Sequence, residues 1–398
     1  MAVPERFSFL PPYIFARLRA LLDESVPDRD VVVDMAIGEP RHAFPDWVVD
    51  IILEHSGGFN NYPSNDGVLE LRQAISTWIS RRYGVSVDPE TQVLTLNGMR
   101  EGLYNTAMAL CPDAQEGASP LILCPNPFYQ VYMVAALSVG ATPVFVPPDD
   151  ISAGLPNYFS LSPDILNRTE IVYVCSPSNP QGAVASLSYW TDLIALSEKY
   201  DFKIFADECY SEIYRGDPPA GALQAAAAMG ADPERVLVFH SLSKRSNLPG
   251  LRSGFVAGGS NAIKACKMLR AYAGSPLPNP LQKAAAKVWL DEEHVEKSRQ
   301  LYLAKYQIAE RIFEGVDGFV MPEAGFFLWL PVNDGEEAAR KLWKQEGIRV
   351  LPGAYLAQER DGENPGRAYI RVAMVAAEHI VEQGLLALHN CLYAEGGR

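Results

Sequence analysis

A lysine stands in an unusual setting in the segment HSLSKRSNLPGLRSG, residues 240–254. Lys244 follows an apolar run and has Ser241, Ser243 and Arg252 close to it in sequence. If this lysine is buried, loss of hydration and a nearby cation lower its pKa, and a neutral lysine amine is the nucleophile of Schiff-base chemistry with an aldehyde. For this segment alone, an ordinary surface lysine in a basic turn is an equally good alternative.

A carboxylate ends another apolar run, FKIFAD, at Asp207. Acidic side chains are rarely buried without a partner, so we expect a cation beside it, and a protonated pyridine nitrogen would serve. An N-cap of a helix beginning at Glu208 is the alternative. Asn179 and Tyr210 could donate hydrogen bonds to a phenolic oxygen of the same ring. Their alternatives are a turn at SNPQG for Asn179 and core packing for Tyr210.

A phosphate site is indicated by residues 97–100, Asn-Gly-Met-Arg, which lie between a strand pattern and a helix pattern. Backbone amides at the start of a helix bind anions. Ser241, Ser243 and Arg252 add hydroxyl groups and a guanidinium that can bind phosphate with two hydrogen bonds. Tyr129 could stack on a planar ring, or be a core aromatic residue.

These residues follow short apolar runs that are typical of strands buried on both faces of a mainly parallel sheet. The predicted strands are 93–96, 121–124, 142–147, 171–176, 202–207, 235–240 and 253–258. Helical patterns lie between them, which predicts an α/β doubly wound, mostly parallel sheet. Ligands of such a sheet bind beyond the carboxyl ends of the strands. Polar or aromatic residues directly follow five of these predicted strands, and we expect those residues to form one site.

The pattern of predicted strands and helices changes along the chain and predicts three parts. Residues 1–45 form an N-terminal segment that packs with a small domain, residues 46–285 form the large domain, and residues 286–398 form the smaller α+β domain. A charged helix pattern over residues 283–314 and the short strands GFFLWLP and RAYIRVAM mark the last part.

Composition narrows the class of protein. The 398 residues are 48% hydrophobic and 21% charged, as in globular proteins, and the formal net charge is −14. This charge disfavours nucleic acid and anionic membranes as partners. The start lacks the pattern of a signal peptide, there is no apolar run of 18 residues, and the six cysteines are scattered without a metal-binding spacing. We therefore expect a cytoplasmic protein without a metal site.

At this point the motifs resemble a known family, the fold-type I pyridoxal-phosphate (PLP) aminotransferases of the class I/II, aspartate-aminotransferase-like group. The matching landmarks run from IGEP at Ile37 to YIRV at Tyr369 and include SNPQG, ADECY and SLSKRSNLPGLRSG. The resemblance implies that Lys244 forms the imine with PLP and later moves the substrate proton, and that Asp207 holds the pyridine nitrogen. It also implies that Asn179 and Tyr210 contact the ring oxygen and that Tyr129 stacks on the ring.

The same resemblance implies a phosphate pocket, a partner and a substrate clamp. The implied phosphate ligands are Gly98, the backbone amides of Met99 and Arg100, and the side chains of Ser241 and Arg252. Tyr62 matches a tyrosine that reaches the phosphate of the neighbouring subunit, which implies a homodimer with shared sites. Arg371 matches the arginine that binds the substrate α-carboxylate, with Gly38 and Asn179 beside it.

Within the family, these segments are most similar to succinyldiaminopimelate aminotransferases of bacterial lysine biosynthesis. The expected reaction is a ping-pong amino transfer. Glutamate gives up its amino group and becomes 2-oxoglutarate, and N-succinyl-2-amino-6-oxopimelate then accepts that group. Gln181 departs from the usual threonine, and Ala273 stands where that subfamily has a histidine. The alternatives are an aminotransferase acting on aspartate, alanine or LL-diaminopimelate, and a PLP-dependent β-lyase. A PLP-binding regulator is disfavoured because the N-terminal segment is too short for a DNA-binding domain.

Overall fold

A computed structural model describes residues 4–8, 10–29, 32–114, 118–360 and 362–394. The strands are β1 Val33–Asp34, β2 Val93–Leu96, β3 Leu121–Pro125, β4 Thr142–Val146, β5 Thr169–Cys175, β6 Lys203–Asp207, β7 Val236–Ser241, β8 Gly254–Gly258, β9 Phe327–Pro331, β10 Ile348–Arg349, β11 Leu351–Pro352 and β12 Tyr369–Ala373. The helices are α1 Ile14–Leu22, α2 Trp47–Glu54, α3 Leu69–Tyr83, α4 Met99–Leu110, α5 Gln130–Ser138, α6 Pro163–Leu166, α7 Leu187–Tyr200, α8 Ala222–Met229, α9 Leu242–Arg245, α10 Ser260–Ala273, α11 Asn279–Leu290, α12 Glu293–Ile312, α13 Gly335–Glu346 and α14 Glu378–Leu392. Within these described ranges, every helix is too short or too polar to cross a membrane.

The seven predicted long strands form one sheet in the order β2-β8-β7-β6-β5-β3-β4. It is parallel except for β8, which runs antiparallel to β2 and β7. Successive residues of β5 enter different cores: Val172 and Val174 lie on one face, and Ile171 and Tyr173 on the other. Helices cover both faces, with α3, α7, α8 and α11 on one and α4, α5 and α10 on the other. The predicted α/β, mostly parallel fold is confirmed.

The helix pattern over residues 283–314 is two helices rather than one, so the expectation of a single long helix is wrong. Helix α11 ends at Leu290, where Asp291 takes an extended conformation. The Asp291 carboxylate then accepts a hydrogen bond from the amide of His294, which stabilises the first turn of α12. Helix α11 contributes Trp289 to the core that also holds Trp78 of α3. The boundary predicted at residue 285 falls inside this helix.

A second, antiparallel sheet in the order β11-β12-β9 forms a smaller unit with α12, α13 and α14. Helix α1 packs its buried side chains into the core of this unit, beside Leu328 and Leu385. Strand β1 pairs with β10 of the same unit. The N-terminal segment therefore lies against the small unit and leads directly to Gly38 at the boundary between the two sheets.

Candidate active site

Parallel strands of the large sheet end in register, which brings their C-terminal side chains to one edge. Cys175 at the end of β5 pairs with Asp207 of β6, and Asp207 pairs with Phe239 of β7. A cavity of about 570 Å³ opens beyond this edge, between the two sheets. The predicted site residues that line it are Gly38, Met99, Arg100, Tyr129, Asn179, Asp207, Tyr210, Ser241, Lys244, Arg252 and Arg371.

Lys244 lies in the single turn α9, which follows β7 directly. Its ammonium group donates a hydrogen bond to the carbonyl of Gly38 and lies 5.2 Å from the centre of the Phe326 ring. Desolvation by burial, together with the positive charge of Arg371, lowers the pKa of Lys244 to about 8. The surface-turn alternative for Lys244 is wrong, because the side chain enters the cavity.

Asp207 is buried at the end of β6. Its carboxylate accepts a hydrogen bond from the Tyr132 hydroxyl at 2.7 Å and one from the Cys209 amide at 3.4 Å. Burial raises the pKa of Asp207, and the Tyr132 hydrogen bond lowers it. Both donors are neutral groups. The helix-cap alternative is wrong, because residues 208–213 form turns rather than a helix.

Arg371 projects from β12 of the small sheet into the cavity and is 5% exposed. It donates hydrogen bonds of 3.0 Å to Asn179 Oδ1 and to the carbonyl of Ala36. Its guanidinium also lies 4.1 Å from the centre of the Phe327 ring. Burial lowers the pKa of Arg371 to about 10, and its Nε has no partner among the described residues. A buried guanidinium oriented in this way can bind a carboxylate.

The predicted anion pocket lies at the start of α4. Gly98 is the N-cap residue, with φ +87°, and a Cβ at this position would collide with the guanidinium of Arg252. Gly98 itself is not among the described residues that line the cavity, whereas the next two residues, Met99 and Arg100, are. Across from it, the Ser241 hydroxyl accepts a hydrogen bond from the amide of Ser243 at 3.1 Å. The pocket thus presents helix amides, hydroxyl groups and a guanidinium to one place.

Arg100 and Tyr129 stand together at the wall of the cavity. The Arg100 Nε donates a hydrogen bond of 2.7 Å to the Tyr129 hydroxyl, which raises the pKa of Arg100. Tyr210 is buried farther in and meets the Phe326 ring edge-on at 5.4 Å. Burial raises the pKa of Tyr210 well above its usual value. Tyr62 is fully exposed and lies outside the cavity of its own chain.

The cavity residues that the sequence analysis missed include Glu39, Tyr132, Cys175 and Cys209. Tyr132 follows Tyr129 by three residues, a spacing that places both on one face of a helix and could have suggested a joint role. In the structure Tyr132 is fully buried and stacks on Tyr173, with 4.4 Å between ring centres, as a core aromatic residue would. Among the described residues, no group of acidic, histidine and cysteine side chains could hold a metal ion.

Comparison with known proteins identifies the family. A sequence model described as aminotransferase class I and II matches residues 30–382. The chain belongs to this family. It is also 30% identical, over 95% of its length and 96% of the relative's, to a protein named LL-diaminopimelate aminotransferase from Aquifex aeolicus (strain VF5).

Solved structures of aminotransferases agree with this assignment. An aminotransferase from Neisseria meningitidis Z2491 superposes with a TM-score of 0.92 at 38% identity, covering 98% of this chain and 100% of the other. The aminotransferase AspB from Helicobacter pylori 26695 gives a TM-score of 0.89 at 35% identity, covering 97% and 100%. A probable N-succinyldiaminopimelate aminotransferase from Thermus thermophilus shares the fold, with a TM-score of 0.84 at 22% identity, covering 96% and 100%.

As a member of this family, the protein is an aminotransferase of fold type I that uses pyridoxal phosphate. The residues of the cavity fit this cofactor. Among the described residues, the hydrogen-bond donors to the buried Asp207 carboxylate are neutral groups, which leaves a place for a protonated ring nitrogen. Because Gly98 has no side chain, the guanidinium of Arg252 can lie against the start of α4, where an anion is favourable.

Proposed function

We propose that this aminotransferase moves an amino group between glutamate and the keto form of N-succinyl-LL-2,6-diaminopimelate. When bound, pyridoxal phosphate supplies an electron-withdrawing ring that eases removal of the substrate Cα proton. Lys244 is the group that takes this proton and returns it, because its lowered pKa suits proton transfer near neutral pH. Arg371 holds the α-carboxylate and thereby orients the Cα–H bond toward Lys244.

The other side chains would hold the cofactor. Asp207 would pair with the ring nitrogen, Asn179 and Tyr210 with the ring oxygen, and Tyr129 with the ring face. The phosphate would lie against the start of α4, with Ser241 and Arg252 beside it. Tyr62, exposed on its own chain, would reach the phosphate of a second copy, so we also propose a homodimer with shared sites. The six free thiols fit a reducing compartment such as the cytoplasm.

The observation that favours the succinylated substrate is the charge of Arg100. The distal end of that substrate carries two carboxylates, whereas the distal end of LL-diaminopimelate carries one carboxylate and one ammonium. Arg100 lines the cavity with a tyrosine hydroxyl as hydrogen-bond partner, so its positive charge can serve a substrate carboxylate. Both compounds share the carbon skeleton of diaminopimelate, to which the first adds a succinyl group.

LL-diaminopimelate is the second candidate. Relatives of 27–30% identity carry the name LL-diaminopimelate aminotransferase. Glu39 also lines the cavity and could pair with a distal ammonium group. The two candidates therefore differ in one group at the substrate's far end, which is a carboxylate in the succinylated compound and an ammonium in LL-diaminopimelate.

Single-turnover reactions followed by cofactor absorbance would test the proposal. The amino donors compared are glutamate, N-succinyl-LL-diaminopimelate, LL-diaminopimelate, aspartate and alanine. We expect glutamate and the succinylated compound to react at least about tenfold faster than the others. Arg100→Met should slow the succinylated compound by about tenfold or more, and Glu39→Gln should leave it unchanged. Faster reaction of LL-diaminopimelate, with sensitivity to Glu39→Gln, would favour the second candidate. Ammonia release in the absence of a keto-acid acceptor would instead indicate a β-lyase.

A further inference from the structure

The three residues after Lys244 are buried, but none of these described residues lines the cavity. Arg245, Ser246 and Asn247 are 3%, 0% and 6% exposed. A buried arginine is unusual, because desolvation of its charge is unfavourable and here lowers its pKa. The position of Arg245 therefore requires strong compensating contacts, and those contacts show what it does.

The guanidinium of Arg245 binds the end of helix α11. It donates hydrogen bonds to the carbonyls of Val288 at 2.9 Å and Asp291 at 3.1 Å, and to Glu292 Oε1 at 2.6 Å. Its charge also lies 5.2 Å from the centre of the Trp289 ring. The last carbonyls of a helix lack partners within the helix and carry partial negative charge, so a cation is stabilised there.

Its two neighbours bind the beginning of helix α12. The Ser246 hydroxyl lies 2.8 Å from His294 Nε2, and Asn247 Nδ2 donates to the Ser298 hydroxyl at 3.2 Å. Asn247 Nδ2 also lies 3.4 Å from the carbonyl of Ala43, in the segment that carries Gly38. The turn that carries Lys244 is thus fastened to both sides of the link between α11 and α12, where the chain passes to the small unit.

We propose that Arg245 is a positioning residue of this aminotransferase, which fixes turn α9 to the end of α11 and so sets the place of Lys244 Nζ. The inference rests on the role proposed for Lys244. The pKa of Lys244 responds to Arg371 among the arginines, so Arg245 acts through geometry rather than charge. Its removal should impair proton transfer without changing the titration of the lysine.

Arg81 provides a matched control. It donates hydrogen bonds to the carbonyls of Leu290 at 3.2 Å and Trp289 at 3.3 Å, and it contacts the same Glu292 carboxylate. Its side chain is 41% exposed, and within the described part of the chain its hydrogen bonds go to the residues after α11 and to the end of that helix, not to turn α9. Arg81→Met therefore removes a cation from the same helix end and leaves the support of Lys244 intact.

The experiment compares Arg245→Met, Arg245→Lys and Arg81→Met as holoenzymes in the half-reaction with glutamate, followed by cofactor absorbance. Here kcat is the limiting rate constant of the half-reaction and KM is the glutamate concentration that gives half of it. Arg245→Met should lower kcat roughly 10- to 100-fold with little change in KM, because misplacement of a reacting group by about 1 Å has an effect of this size. The pH titration of the visible cofactor absorbance should stay that of the wild type. Arg245→Lys should recover part of kcat, and Arg81→Met should retain kcat while melting at a lower temperature.

Equal kcat in Arg245→Met and Arg81→Met would overturn the proposal and leave Arg245 a purely structural residue. If Arg245→Met does not fold, Arg245→Lys decides, and a wild-type kcat in that variant overturns the proposal. Lys244→Ala separates this question from the assignment of the lysine. Retention of the visible absorbance and of turnover in Lys244→Ala would refute the role of Lys244 itself.

Discussion

The hydrogen bond from the Tyr132 hydroxyl acts on the ionisation of the buried Asp207 carboxylate. Burial raises the pKa of Asp207 and so favours its neutral form, whereas a hydrogen bond from a hydroxyl favours the charged form. A charged carboxylate is the form that keeps a ring nitrogen protonated. Tyr132 is itself held by stacking on Tyr173, at 4.4 Å between ring centres. The stack therefore supports the ionised form of Asp207.

Tyr132→Phe should lower the single-turnover rate with glutamate about tenfold. A hydrogen bond to a charged group contributes roughly 1.5–3 kcal/mol, and about 1.4 kcal/mol corresponds to a factor of ten. Tyr173→Phe is the control. It also removes a hydroxyl from this pair of stacked rings, but the Tyr173 hydroxyl donates to the Leu103 carbonyl and not to Asp207. Equal rates in the two variants would show that the Tyr132 hydroxyl does not act on Asp207. The rates are measured from cofactor absorbance after rapid mixing.

For single residues, the sequence indicated which charged side chains need an explanation, but it did not indicate their hydrogen-bond partners. Lys244 and Asp207 stand out because each ends or follows an apolar run, where a charge needs an explanation. Tyr132 does not stand out, because a tyrosine on an apolar helix is typical of a core. The hydrogen bond between Arg371 and Asn179 joins residues 192 positions apart, and no local pattern indicates it.

Strand order and register explain why residues far apart in sequence meet. Parallel pairing aligns the ends of β5, β6 and β7, so the residues that follow them share one edge. Apolar runs predicted these strands because both faces of the sheet are covered. They could not predict that β8 is antiparallel, since its composition resembles that of its neighbours. The break between α11 and α12 was also missed, because charged helix-forming residues continue through Asp291 and Glu292.

Gly98→Ala tests the start of α4 as the phosphate pocket. The residue has φ +87°, which is unfavourable for alanine, and the added Cβ would collide with Arg252. We expect at least a tenfold weaker affinity for pyridoxal phosphate, from roughly 1–3 kcal/mol of backbone strain together with displacement of the guanidinium. Gly84→Ala is the control: Gly84 has φ +69° at the exposed end of α3, where a Cβ has open space. Cofactor affinity is measured by titrating the cofactor-free proteins; equal affinities would contradict this pocket.

The whole molecule places the substrate-facing groups on two sheets. Asp207 ends a strand of the large sheet and Lys244 lies in the turn that follows another, whereas Arg371 belongs to the small sheet and the N-terminal segment carries Gly38 between them. A change in the distance between the two sheets would therefore separate Lys244, the proposed proton-transfer group, from Arg371, the proposed carboxylate-binding residue. Exposed aromatic residues such as Phe59, Tyr62 and Tyr272 lie outside these contacts and fit a surface covered by a second copy.

Mixed dimers test whether a second copy completes the site. Tyr62→Ala should weaken activity, and Lys244→Ala should abolish it. If Tyr62 serves the partner's site, a mixed dimer of the two variants contains one fully intact site, with Lys244 from one chain and Tyr62 from the other. Random reassociation of equal amounts gives about half mixed dimers, so the mixture should regain about one quarter of wild-type activity per site. If Tyr62 serves its own chain, mixing yields no more than the average of the separate variants.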